Sequence, residues 1–139
     1  MTTVTVSEDI NADAAAVWAA LSDFGGMKVG GPITSFETKG SGVGMVRTIG
    51  MGGGKVVERL DRHDPAAMVY AYAIVNDDPP LPVAGYSSQV KITSKGAGMC
   101  HVHWTGTFEP RGASEADASK VVEGIYRGGI ARVRKALVG

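Results

Sequence analysis

The chain has 139 residues, with 14 Lys plus Arg against 14 Asp plus Glu, and an isoelectric point near 6.8. Balanced charge supplies no positive field for a polyanion, so no nucleic-acid partner is expected. The longest apolar runs, such as Met68 to Val75, fall far short of the roughly 20 residues of a membrane helix, so no membrane span is expected either.

A chain of this length suits one domain, residues 1–139, and buries roughly two-thirds of the surface its unfolded form exposes. The opening Met-Thr-Thr-Val-Thr-Val has no basic segment followed by an apolar stretch and a small-residue cleavage site, which predicts a cytoplasmic protein. Cys100 is the single cysteine, cannot close an internal disulfide, and reads as a small buried hydrophobe.

Thr3 to Ile10 alternates, with Val4, Val6 and Ile10 on one side and Thr3, Thr5 and Asp9 on the other, the period of a half-buried strand. Residues 13–24 then place Ala14, Val17, Trp18, Leu21 and Phe24 at helical spacing. Asn11 or Asp13 is the candidate cap and Gly25-Gly26 the stop. From residue 33 to 108 Gly and Pro punctuation separates six strands, at about 33–39, 44–50, 55–62, 67–76, 85–95 and 99–108. Short turns make them antiparallel neighbours. Asn76 to Val83 carries three prolines and must be a loop at the rim of the sheet.

Ser114 with Asp117 opens the longest helix in a pattern like a capping box, and Val121, Val122, Ile125, Ile130, Val133 and Leu137 form its apolar stripe. Acidic Glu115 and Asp117 near its start and Arg132, Arg134 and Lys135 near its end complement the helix dipole. Gly128-Gly129 in its interior costs about 1 kcal/mol per residue relative to Ala, which implies close approach to the sheet or room beside it. The order strand, helix, six strands, long helix predicts an α+β fold: a seven-stranded antiparallel sheet curled around the C-terminal helix, with a cavity between them.

Several segments, in this order and spacing, resemble the START-related, birch-pollen-allergen-like (SRPBCC) superfamily, in particular its polyketide cyclase/dehydrase branch. They are Ala15-Ala-Val-Trp18, Gly44-Met-Val-Arg47, Val57-Glu-Arg-Leu60 with Asp64, Tyr72-Ala-Ile74, Leu81-Pro-Val-Ala-Gly-Tyr-Ser-Ser88 and His103-Trp-Thr-Gly-Thr-Phe-Glu-Pro110. The resemblance covers nearly the whole chain. It implies the helix-grip fold, hydrophobic ligands held between sheet and helix, and two gating loops at Gly50–Gly54 and Leu81–Val83. Val29-Gly-Gly-Pro32 stands where many relatives carry Trp-x-Pro, a departure that implies a wider or more mobile cavity mouth.

Val56, Glu58 and Leu60 share a strand face, and Leu60 belongs inside, so Glu58 should point inward. A buried carboxylate is paired or shifts its pKa upward, and Arg47 on the preceding strand is the cation at hand. The pair is read either as the anchor for a polar ligand group or as a structural ion pair. Tyr70, Tyr72 and Ile74 share a face of their strand, as do Tyr86, Ser88, Val90 and Ile92 of theirs, which concentrates tyrosines on the concave side. His101 and His103 lie two apart on one strand face, with Cys100 on the other; two ligands do not make a zinc site, and no metal is expected. Which face of 99–108 lines the cavity is open, because Val102, Trp104 and Phe108 claim the inside while the resemblance also admits His103 there. Gly50–Gly54 before Lys55 has the wrong spacing for a phosphate loop, and neither a dinucleotide fingerprint nor a nucleophile elbow is present.

These readings predict a carrier or sensor that binds a small hydrophobic or amphipathic ligand, with Arg47, Glu58, Tyr72, Ile74, Val83, Tyr86 and Ser88 lining the site and no cofactor. The alternative is a polyketide cyclase or dehydratase in which Glu58, the best catalytic candidate, or a tyrosine moves a proton. The third reading is a protein-interaction module or homodimer that presents an apolar patch outside the cavity.

Overall fold

The computed structural model describes residues 1–138. Along them run β1 (Thr2–Ile10), α1 (Ala14–Leu21), β2 (Ile33–Lys39), β3 (Val46–Met51), β4 (Gly54–Asp64), β5 (Val69–Ile74), β6 (Val83–Ser94), β7 (Cys100–Pro110) and α2 (Glu115–Val138). The strands form one antiparallel sheet in the order β1-β7-β6-β5-β4-β3-β2. Each hairpin pairs with the next, and β1 closes onto β7 at one edge. Alternation along the strands decides the inner face: Val4, Val6 and Ile10 of β1, Val56, Glu58 and Leu60 of β4, and Val102, Trp104 and Phe108 of β7 are all buried. On β7 this leaves His101 and His103 on the outer side, which answers the question the sequence left open. α2 lies across β1 and β7 and against α1, so sheet and helix form the helix-grip fold.

Two helix readings need correction. The inward row of α2 is Ala118, Val122, Tyr126, Gly129, Ile130 and Val133, whereas Val121, Ile125 and Leu137 are 40%, 42% and 41% exposed. At 3.6 residues per turn, positions 118, 122, 126, 129 and 133 stack on one side and 121 and 125 point about a quarter-turn away. Val122, Ile130 and Val133 of the expected stripe do face the sheet; the other half of it points away, and Ala118, Tyr126 and Gly129 complete the inward row instead. α1 ends earlier than expected, at Leu21, with the Ser22 N–H donating to the Trp18 carbonyl. Phe24 reaches the core from a turn closed by the Gly26 N–H on the Asp23 carbonyl.

Asp13 is the residue before α1, but its carboxylate makes no cap; it accepts from the Gly98 N–H at 2.6 Å and so ties the helix start to the β6–β7 turn. α2 does start as predicted, with Ser114 Oγ accepting from the Asp117 N–H at 3.1 Å. The β3–β4 hairpin turns on Gly52 and Gly53 at φ +57° and +77°, a left-handed pair that only glycine adopts without strain.

Candidate functional site

A cavity of about 390 Å³ opens where the chain after α1 faces the C-terminal half of α2. Leu21, Met27 and Lys28 form one wall, and Gly129, Arg132, Val133 and Ala136 of α2 form the other. The sheet supplies the floor through Ile33, Arg47, Tyr70 and Trp104. Asp23 joins Lys28 and Arg132 as a charged group on the lining. Of the connection between α1 and β2, Asp23 and residues 26–28 line the cavity, whereas Val29-Gly-Gly-Pro32 does not.

Arg47 and Glu58 stand directly opposite each other on β3 and β4. Nε and Nη2 of Arg47 both reach Glu58 Oε1 at 2.7 Å, Nη1 donates to the Phe24 carbonyl at 3.3 Å, and the guanidinium lies 3.9 Å from the Phe24 ring centroid. Both side chains are close to nine-tenths buried. The arginine meets the cavity while the glutamate lies behind it, so the floor presents a compensated charge.

Deeper in the core runs a chain of hydroxyls. Tyr72 and Tyr86 approach at 3.5 Å, Tyr86 and Tyr126 at 2.5 Å, and Tyr126 donates to Ser88 Oγ at 3.3 Å. Ser88 also accepts from Trp104 Nε1 at 2.9 Å and donates to the Thr105 carbonyl at 3.1 Å. The Trp104 and Tyr126 rings stack with centroids 4.6 Å apart. Burial raises the pKa of Tyr72, Tyr86 and Tyr126 above the ordinary phenol value, so these hydroxyls are neutral hydrogen-bonding groups at physiological pH.

Of the residues read from the sequence as ligand contacts, Arg47 lines the cavity. Glu58, Tyr72, Tyr86 and Ser88 are buried around it, in the ion pair and the hydroxyl chain. Ile74 and Val83 lie at the far end, beside a separate recess of about 200 Å³ that Tyr86 also touches. Pro80, next to the expected Leu81–Val83 gate, packs on Gly54 of the other, where an added Cβ would lie 3.3 Å from its ring. Tyr126 was missed, although its spacing of four from both Val122 and Ile130 placed it on the core side. Lys28 and Arg132 carry no such signal in sequence, because nothing marks a surface cation as facing a cavity.

On the outer face His101 Nδ1 lies 2.7 Å from Asp9 Oδ1 and His103 Nδ1 lies 3.0 Å from Ser7 Oγ, while His63 rests against Trp18 at 5.2 Å between centroids. Among the described residues no three His, Cys, Asp or Glu side chains converge as metal ligands, and no helix is long and apolar enough to cross a membrane. The exposed large apolar residues of α2 are Val121 and Ile125 in its first half and Leu137 and Val138 at its end.

A sheet gripping a terminal helix around an internal space defines the ligand-binding fold of the SRPBCC superfamily. Within it the chain belongs to the family described as polyketide cyclase/dehydrase and lipid transport, whose model matches residues 1–138. The fold is shared with a protein from Bacillus thuringiensis, 27% identical, with a TM-score of 0.85 over 99% of this chain and 100% of the other. It is shared equally with the protein XoxI from Bacillus cereus, 27% identical, with a TM-score of 0.86 over 99% and 96%. The Zhui aromatase/cyclase from a Streptomyces species is 22% identical, with a TM-score of 0.72 over 97% and 90%, and shares the fold. No curated protein is detectably similar in sequence.

Proposed function

We propose that the protein holds one small hydrophobic or amphipathic molecule in the cavity between α2 and the sheet, as a carrier or sensor. The observation that carries this reading is the space of about 390 Å³ walled by Leu21, Met27, Tyr70, Trp104 and Val133. That volume lies within the range of roughly 300–1,000 Å³ typical of small-molecule sites. The family description, with its polyketides and lipids, supports a ligand of this kind. Holding is favoured over proton transfer by Glu58, because Glu58 is bound to Arg47 away from the lining, and Tyr72, Tyr86 and Tyr126 do not line the cavity either.

Native mass spectrometry of freshly purified protein, compared with the denatured chain, tests the proposal. A discrete extra mass of a few hundred daltons is expected, and Ala136→Trp, which places a ring over the mouth, should remove it. An empty protein that also takes up no apolar fluorophore, or an adduct that survives Ala136→Trp, would overturn it.

A further inference from the structure

The charges on the cavity wall are not balanced. Arg47 is cancelled by Glu58 at 2.7 Å, which leaves Lys28 and Arg132 against the single carboxylate of Asp23. The arginines of α2 differ from one another in the same way. Arg127 reaches Glu8 at 3.3 Å and Glu123 at 3.2 Å, and Arg134 reaches Glu8 at 3.0 Å, so both are tied to carboxylates. Arg132, on the cavity side, is in no ion pair among the described residues, and neither is Lys28 across the mouth. Two uncommitted cations from opposite walls thus flank an apolar interior floored by Tyr70 and Trp104.

Resting on the reading of the cavity as a ligand site, we infer that its ligand is a small amphipathic acid. Its apolar body lies against Tyr70, Trp104 and Val133, and its anionic group sits at the mouth between Lys28 and Arg132. An anion there keeps its charge near water while gaining two cations, so it avoids the desolvation cost it would meet in the apolar interior. A cavity of about 390 Å³ admits a body of a few rings or one short chain but not a two-chain phospholipid, so the acid is a free molecule rather than a membrane headgroup.

The test uses two fluorophores of nearly the same shape: anilinonaphthalene sulfonate, an anion, and phenylnaphthylamine, its uncharged parent. Both are titrated into the full chain and into Lys28→Gln/Arg132→Gln, with quenching of Trp104, which lines the cavity, as a second readout. The wild-type chain should bind both. The double variant should lose about five- to tenfold in affinity for the sulfonate, the scale of two rim charges, and less than twofold for the neutral probe. Raised salt should erase most of that difference. Unchanged sulfonate binding in the double variant, or equal loss of both probes, overturns the acid assignment and leaves the cavity reading standing. If the wild-type chain binds neither probe, the cavity reading fails and this inference fails with it.

Discussion

The hydroxyl of Tyr126 fills the space that a side chain on Gly106 would need: a Cβ at Gly106 would stand 2.0 Å from Oη and 3.2 Å from Cζ. Gly106 sits opposite Ser88 in the β6–β7 register, and Tyr126 donates to that same serine, so the missing side chain makes the slot through which helix and sheet share a hydrogen bond. Gly106→Ala should therefore destabilise by about 1–3 kcal/mol through overpacking. Some further loss follows if the Tyr126 bonds break, at roughly 0.5–1.5 kcal/mol each. In a Tyr126→Phe background the alanine has more room, so urea denaturation of the four chains should give a coupling of about 1 kcal/mol or more. Additive effects would mean that the hydroxyl does not occupy the slot in solution.

Gly128 and Gly129 are neighbours in α2 with opposite surroundings. A Cβ at Gly129 would lie 2.9 Å from Trp104 Cζ3 and 3.0 Å from Cη2, while a Cβ at Gly128 would meet nothing within 4 Å. Replacing a helical glycine by alanine gains about 1 kcal/mol of helix propensity. Gly128→Ala should keep that gain and raise the melting temperature. At Gly129 the Trp104 ring is stacked on Tyr126 and bonded to Ser88, so it cannot swing aside freely. The overpacking cost of about 1–3 kcal/mol should exceed the helix gain, and thermal melts should show Gly129→Ala below wild type.

Both glycines were legible in the sequence only as a puzzle, and the structure divides it. One is needed for close approach and the other has open space beside it. Alternation made the strands readable, and the inward Glu58 followed from Leu60 two residues on, because a strand face is shared strictly by every second residue. The pairing with Arg47 was legible for the same reason. The mouth of the cavity was not, since Lys28 comes from a connection without periodicity and Arg132 from a position beside the inward row of α2, where a charged residue reads as solvent-facing. Tyr126 lies on the inward row between Val122 and Ile130, and a count of branched apolar residues overlooks a tyrosine whose hydroxyl is satisfied by Tyr86 and Ser88.

The Arg47–Glu58 pair gives a prediction of sign as well as size. Removing one partner from a buried pair leaves a charge without compensation, so Glu58→Leu or Arg47→Met alone should cost about 3 kcal/mol. Removing both should cost distinctly less than either, because a matched apolar pair carries no stranded charge. Equilibrium denaturation in guanidinium would read all three, and a double variant less stable than both singles would show that the pair is worth more than its desolvation.

The tyrosines set the alkaline limit. The chain has four, at 70, 72, 86 and 126, all are buried, and burial raises every one of their pKa values above the ordinary 10.0. In the unfolded chain they ionise near pH 10, whereas the native protein keeps its protons, so above that pH the native state binds more protons and stability falls as pH rises. The contribution is intact below pH 10 and is lost as pH climbs from there toward the raised native values. Once the unfolded chain is fully ionised, the slope reaches about 1.4 kcal/mol per pH unit for each tyrosine. Tyrosinate absorbance should therefore stay flat through pH 10 while the far-ultraviolet dichroism is native, and all four signals should appear together when the dichroism collapses. A single tyrosine titrating near pH 10 in a protein that remains folded would show that at least one of these hydroxyls reaches water, and the core would then have to be more open than the ring contacts among Tyr70, Tyr72 and Tyr86 allow.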